Sequence, residues 1–296
     1  MKKTSLFFPG ILFLVLLFSF RSDKPAYVIF HSNGKAANYE DLLKEALESD
    51  LVFFGEIHNN PICHWLEYEL TRDLFKARKT DLVLGAEMFE TDNQLLLKEY
   101  TSGMIRKKDF EAEAKLWPNY KSDYAALVDF ARENGLKFIA TNVPRRYAAI
   151  VNQKGFEGLD TIYAIQRGLI APLPIKYDST LECYASITNA TGAGNMHASP
   201  NIAKAQALKD ATMAWFILKN GQEQKTLFLH FNGAYHSERY QGIVWYVKDY
   251  LRRSNIPVKI LTITCLEQEK TDELETQNKE CADFIICIPS SMTRGG

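Results

Sequence analysis

The chain has 296 residues, 46% hydrophobic and 24% charged, enough apolar content for the core of one large or two modest domains. Its 35 Lys and Arg against 36 Asp and Glu leave a net charge of −1, which argues against the electrostatic footprint of a nucleic-acid-binding protein. The five cysteines (Cys63, Cys183, Cys265, Cys281 and Cys287) are an odd number without close-set pairs. They match neither a dense disulfide framework nor a thiolate zinc site, although a single bridge among the last three stays open.

In chain order, Met1-Lys2-Lys3 and the apolar run from Leu6 to Phe20, closed by Arg21 to Lys24, have the layout of a secretory leader over residues 1–22. The run is shorter than the roughly 20 residues a spanning helix needs, so export is expected rather than a membrane span, with an uncleaved N-terminal anchor as the alternative. The body of the protein divides into a first α/β part at 23–155, a helical and loop-rich insertion or cap at 156–200, and a second α/β part at 201–296.

Tyr27 to Phe30 reads as a strand, followed by a turn at Asn33-Gly34 and a helix over Tyr39–Ser49. Leu51-Val52-Phe53-Phe54 is a buried strand that runs into Gly55-Glu56-Ile57-His58. Asn60 then caps a helix with Pro61 at its first position, where the missing N–H costs nothing. Asp81 to Glu90 and Leu136 to Thr141 read as further buried strands, with helices at Asn93–Gly103 and Asp109–Leu116 and one capped by Ser122-Asp123. Near-continuous apolar strands alternating with helices predict an α/β fold, a central and mainly parallel sheet covered on both faces. After the insertion come a helix from Ile202, a strand at Thr226–Phe231 ending in Asn232 to His236, a helix over Glu238–Arg252, and strands at Val258–Thr264 and Phe284–Ile288. Glu267 to Lys279 reads as an exposed acidic loop.

Parallel strands place their carboxyl ends at one edge, where ligands bind. That edge gathers Glu56 and His58, Glu87 and Glu90, Arg145 and Arg146, and His230, Asn232 and His236. Glu56 and His58, two residues apart, suit general acid–base work; the alternative is a buried pair tying strand to helix. Glu87 is a candidate second carboxylate, and His236 the partner opposite His58. His64 falls off the Ile62, Leu66, Leu70 stripe of its helix, and a structural and a functional role are equally open to it. Arg145 or Arg146 offers a guanidinium fork for a carboxylate or propionate, or an ion pair with Glu56 or Glu87. Asn232 would orient a ligand or hold its loop. His230 reads as a buried structural residue, Cys63 as a small buried hydrophobe. His197, on a Gly-rich loop, is either an axial ligand or a surface residue.

Gly55-Glu56-Ile57-His58 with Asn59-Asn60-Pro61 and His64, the second Gly233-Ala234-Tyr235-His236, and Ala205-Gln206-Ala207-Leu208-Lys209-Asp210-Ala211-Thr212-Met213-Ala214 together resemble the ChaN family. These are haem-binding, iron-regulated bacterial envelope proteins within a superfamily of twin Gly-x-x-His proteins that includes Tiki peptidases, TraB-like proteins and erythromycin esterases. The resemblance covers about Asp41 to Thr264. It implies a parallel α/β sheet with a smaller helical domain, and haem held through a tyrosine at a homodimer interface. It further implies a place in the periplasm or membrane-associated envelope, beside outer-membrane haem or iron transport components. Family members are often lipoproteins, and no Cys follows the apolar run here. The resemblance does not single out one of the fourteen tyrosines as haem ligand.

Two functions follow as expectations. The first is a haem-binding envelope protein serving haem and iron acquisition, with its ligand cleft at the carboxyl edge of the sheet and His64, Arg145, Arg146, Asn232 and His197 toward the cofactor. The alternative is an esterase- or peptidase-like hydrolase in which Glu56, His58, Glu87 and His236 activate water. A divalent metal is a second candidate cofactor, since Glu56, His58, His64 and His236 suit zinc or iron.

Overall fold

A computed structural model of the protein describes residues 24–192, 199–221, 226–252 and 257–295. The expected leader and His197 lie outside them. Strands β1 (Val28–His31) and β2 (Ala36–Ala37) form a small hairpin around the Asn33-Gly34 turn. Helix α1 (Tyr39–Leu47) leads to β3 (Leu51–Glu56), α2 (Pro61–Arg78) and β4 (Leu82–Glu90). Helices α3 (Gln94–Thr101), α4 (Lys107–Glu113) and α5 (Ala125–Asn134) precede β5 (Lys137–Asn142) and α6 (Arg145–Lys154). After α7 (Ala164–Arg167), α8 (Glu182–Gly192) and α9 (Ile202–Gly221) come β6 (Leu227–Gly233), α10 (Ile243–Leu251), β7 (Ile260–Gln268) and β8 (Phe284–Pro289).

The eight strands make one sheet in the order β2-β1-β8-β7-β3-β6-β4-β5, parallel from β8 to β5 and antiparallel at the β1–β2 and β1–β8 pairings. The chain therefore lays β4 and β5 to one side of β3 and later returns to place β6 between β3 and β4, and β7 on the far side. The carboxyl ends of β3, β4 and β6, from widely separated stretches of chain, become neighbours.

Strand side chains alternate between two cores. Val52 and Phe54 of β3 face one apolar layer with Leu66 and Leu70 of α2 and Leu127 and Val128 of α5. Leu51 and Phe53 face the other, with Val151 of α6, Leu208 and Ala211 of α9, and Val244 and Val247 of α10. Both faces are covered, which is why the strands carry continuous apolar runs. Residues Leu159, Ile170, Ile175 and Tyr184, from the stretch read as an insertion, share this second core.

Three local expectations need correction. Ser122-Asp123 is not a cap: Tyr120–Tyr124 is a π-helical turn that continues into α5. Its wider winding sets Tyr120 against Phe89 and Phe110 and still brings Tyr124 onto Glu56. The helix expected from Glu238 starts only at Ile243, because Arg239 and Tyr240 adopt φ of 55° and 56°, which no right-handed helix accommodates. The acidic stretch begins inside a strand, since β7 runs to Gln268. All five cysteines are free and buried, so no bridge links Cys265, Cys281 or Cys287.

Candidate functional site

The site grows out of two turns. At the end of β3, Asn60 accepts a hydrogen bond from the Ile62 N–H (3.0 Å) and Pro61 opens α2, as its sequence predicts. At the end of β6, Gly233 leads into a 3₁₀ turn over Ala234–His236. The two glycines explain each other. A Cβ on Gly233 would stand 2.8 Å from the His58 ring, and one on Gly55 would stand 2.9 Å from the Ala234 Cα. Each Gly-x-x-His turn thus clears space for the other: a larger residue at Gly55 meets backbone of the second turn, and one at Gly233 displaces the His58 ring.

The turns meet over a cleft of about 990 Å³ lined by Glu56, His58, Glu87, Arg145 and His236, with Trp117, Asn119, Gln206 and Lys209 completing its walls. The strand ends contribute the charge and the helices the rim. Four residues expected to share a site therefore do so: Glu56, His58, Glu87 and His236.

His236 is clamped. Its Nε2 lies 3.0 Å from Glu87 Oε1, and its Nδ1 donates to Asp210 Oδ1 of α9. Tyr184 donates to the other Asp210 oxygen (2.7 Å), and the Gly233 N–H to Glu87 Oε2 (2.8 Å). Burial works against charge on His236, but the carboxylates of Glu87 and Asp210 outweigh it and push its pKa up to about 10. Burial likewise opposes charge on Glu87, yet the His236 charge holds its pKa down at about 2. His236 and Glu87 thus form an ionised, buried pair, and Asp210 Oδ1 takes the second ring nitrogen of His236 to complete the triad.

His58 is placed differently. Its side chain is 44% exposed, its Nδ1 donates to Glu56 Oε1 (2.6 Å), and its ring meets the edge of Trp117. Tyr124 donates to the same Glu56 oxygen (2.7 Å). Burial opposes the His58 charge, and the Glu56 hydrogen bond with the nearby Glu87 charge raises its pKa in spite of it. Glu56 is 2% exposed; burial opposes its ionisation too, but the His58 hydrogen bond and the surrounding donors leave its pKa below the ordinary value. Nδ1 being engaged, the imidazole presents its Nε2 edge toward the cleft, the arrangement of a proton-transferring group oriented by a carboxylate.

The remaining expectations separate. His64 is buried behind this layer: its Nε2 donates to the His58 carbonyl (3.1 Å), and its Nδ1 faces Glu67 (3.1 Å) and Glu56 (3.5 Å). Glu56, His64 and Glu67 each offer an atom within 4.8 Å of the others, a set able to hold a metal ion. That set is not the one expected from sequence: His58 turns its Nε2 toward the cleft and away from the cluster, and both ring nitrogens of His236 are taken by Glu87 and Asp210. Arg145 lines the cleft, whereas Arg146 turns away to pair with Asp92 and stack on Tyr147. Neither pairs with Glu56 or Glu87. Asn232 is fully buried and ties its loop, donating to the Gly233 carbonyl and to Ser237 Oγ (both 2.9 Å). His230 is equally buried, its Nδ1 donating to Asn232 (3.0 Å), and burial depresses its pKa to about 4. Glu90 binds Lys115 (2.6 Å).

Asp210, Glu67 and Tyr124 were missed as site residues. The first had a visible signal: an Asp in the Ala-rich middle of α9, four residues after Gln206 and so on the same face. Glu67 stands three residues after His64 on α2, again one face. Tyr124 had none, since its position depends on the π turn.

The family described as haem-binding uptake, Tiki superfamily, ChaN, matches residues 42–247, more than half of the chain. The chain belongs to this family. Its structure is similar to that of ChaN of Campylobacter jejuni, described with cofacially bound haem, at a TM-score of 0.66 and 15% identity over 89% of this chain and 97% of that one. A succinoglycan biosynthesis protein matches at a TM-score of 0.50 and 11% identity, over 87% of this chain and 94% of the other. At such identities both likenesses speak for the α/β fold alone. A further relative, the chloroplastic protein RETICULATA-RELATED 5 of Arabidopsis thaliana, is 28% identical over 122 residues, 39% of this chain but only 17% of that protein's length. No described helix of this ChaN-family chain is long and apolar enough to cross a membrane.

Proposed function

We propose that this protein binds haem at the cell envelope in the service of iron acquisition, and that Tyr163 is the iron ligand. Membership of a haem-binding uptake family supports the cofactor. The observation that carries the ligand is exposure: of the fourteen tyrosines, all within the described residues, Tyr163 is the one that is exposed, at 76%. Next to it Ile165 is 84% exposed, an apolar side chain that nothing in the fold buries. An open phenol beside an apolar side chain fits haem, whose ferric iron takes a phenolate oxygen and whose porphyrin face needs apolar cover. Arg167, exposed at the end of the same turn, supplies a cation for a propionate. A tyrosine at the surface also suits a homodimer in which two haems meet face to face, in keeping with the cofacial haem described for ChaN of Campylobacter jejuni. The leader-like residues 1–22 support export, to the periplasm or the membrane-associated envelope, where outer-membrane transport components would supply the haem.

A haemin titration of the purified protein followed at the Soret band tests this. A saturable shift is expected, weakened roughly tenfold or more in Tyr163→Phe, the equivalent of about 1.4 kcal/mol. No shift in the native protein would remove the haem reading, and an unchanged titration in Tyr163→Phe would move the ligand elsewhere.

A second reading rests on the cleft. The half-exposed His58 held by Glu56, facing the Glu87–His236–Asp210 triad, is built to move a proton, which haem binding alone does not need. It fits a hydrolase that activates water on an ester or amide, with Arg145 and Lys209 available for an anionic substrate. Turnover of such substrates that vanishes in His58→Gln would establish it; turnover surviving that change would exclude it.

A further inference from the structure

Behind His58, the hydrogen bonding of His64 leaves an arrangement of acceptors that lack donors. The Nε2 of His64 points at the His58 carbonyl (3.1 Å), and Asp123 Oδ2 lies on that same side at 3.5 Å. Both are acceptors, so Nε2 carries the proton and, in the neutral ring, Nδ1 presents a lone pair. That lone pair faces Glu67 Oε2 at 3.1 Å and Glu56 Oε2 at 3.5 Å, two further acceptors. Glu67 is fully buried and Glu56 2% exposed, and Glu56 Oε2 has no hydrogen-bond donor among the described residues although it is aimed into this cluster. Glu67 Oε1 is likewise without one. A buried acceptor left without a donor costs roughly 1–3 kcal/mol, and more for a charged group.

Burial and the Glu56 charge push the Glu67 carboxyl well above the ordinary carboxylate range, so without an ion it keeps a proton toward Glu56. A positive ion in place of that proton also removes the conflict, and the spacing suits one. Ligand atoms about 2.1 Å from an ion stand roughly 3.0–3.4 Å apart across octahedral to tetrahedral angles, close to the two separations from Nδ1. The outer arrangement also matches that of metal-bound imidazoles, whose second nitrogen donates to a backbone carbonyl or carboxylate and so fixes the tautomer and the ring. Asn119 adds a second donor to the same His58 carbonyl (2.9 Å), holding it where His64 needs it.

We propose that Glu56, His64 and Glu67 form a binding site for a first-row divalent cation, directly behind the cleft. Two carboxylate oxygens and one imidazole suit Mn²⁺, Fe²⁺ or Zn²⁺ and offer nothing to a soft ion such as Cu⁺. Access runs from the cleft, which Glu56 and the half-exposed His58 both line. Glu56 then has two duties, with Oε1 orienting His58 and Oε2 holding the ion, so that metal loading fixes the position of the cleft histidine. The site is independent of Tyr163 and of haem.

The experiment is elemental analysis of purified, haem-free protein, with the absence of a Soret band as the check, after incubation with Mn²⁺, Fe²⁺ under anaerobic conditions or Zn²⁺ and removal of the excess. About one equivalent of one of these ions is expected to stay bound, and a hundredfold excess of it over Kd should raise Tm by roughly 5–10 °C. Glu67→Gln, which keeps the shape and removes the charge, should lose the ion and the Tm rise, and His64→Gln should do the same. Glu90→Gln, a carboxylate of the cleft outside the set, should keep both. Should the native protein bind none of the three ions, the proposal is overturned and the two carboxyls share a proton instead. Retention of the ion by both Glu67→Gln and His64→Gln would equally overturn it.

Discussion

The two Gly-x-x-His turns are written almost alike and end in opposite circumstances. His236 is 6% exposed in its side chain and locked between Glu87 and Asp210; His58 is 44% exposed and held from one side by Glu56. The difference comes from what the rest of the fold sets over each turn. Helix α9 lays Asp210 directly on His236, whereas the His58 ring meets the loop carrying Trp117 and the Gly233 turn and stays 44% exposed. One motif thus yields a fixed ion pair in one place and an accessible proton-transfer group in the other. A local sequence pattern sets backbone geometry and leaves chemistry to the neighbours.

The largest expected effect breaks the locked half. Asp210→Ala leaves the buried His236 with a single carboxylate and Tyr184 without its acceptor, and should cost about 3–5 kcal/mol in a urea unfolding experiment. A loss below about 1 kcal/mol would mean that His236 is not charged there. On the open half, Tyr124→Phe removes the second donor to Glu56 and should cost about 1.5–3 kcal/mol, with the His58 ring resonances shifting by NMR. Gly233→Ala tests the meeting of the turns themselves: the added Cβ collides with the His58 ring, for a cost of about 1–3 kcal/mol. If His58 merely swings outward, stability will hold while its NMR signals move.

The pH dependence is smaller but sharper. His236 is raised from 6.5 to about 10, so its contribution to stability is fully present below pH 6.5 and is lost as pH rises through about 10. Glu87 is lowered from 4.5 to about 2, so its contribution is present above pH 4.5 and is lost as pH falls through about 2. The gap in unfolding free energy between the native protein and a His236→Gln, Glu87→Gln double variant should be widest between pH 4.5 and 6.5 and narrow on either side. A gap independent of pH would show that the pair is not ionised. Smallest of all, Arg146→Ala, outside the cleft and half-exposed beside Asp92, should change stability by no more than about 0.5 kcal/mol in the same urea experiment.

Much of this was legible along the chain. The strand runs of β3, β4, β5 and β6, the Asn60-Pro61 helix start and the charged ends of the strands follow from local preferences and periodicity, which need only neighbours in sequence. So did the meeting of Glu56, His58, Glu87 and His236, because parallel strands put their carboxyl ends at one edge. The division of labour between Arg145 and Arg146 was not legible, since adjacent helix positions point about 100° apart and nothing local says which way α6 faces. Nor was the purely structural role of Asn232, which depends on Ser237 accepting its amide across the turn.

By itself the sequence determined the α/β class, the sheet edge that carries the site, and the glycines that permit the turns, since all of these are consequences of backbone preference and of side-chain alternation. Tertiary structure alone decided which histidine is free and which is locked, and which carboxylates face one lone pair of His64. Those outcomes turn on distances of a few ångströms between β3, β6, α2 and α9, and electrostatic energies inside a protein change severalfold over such distances.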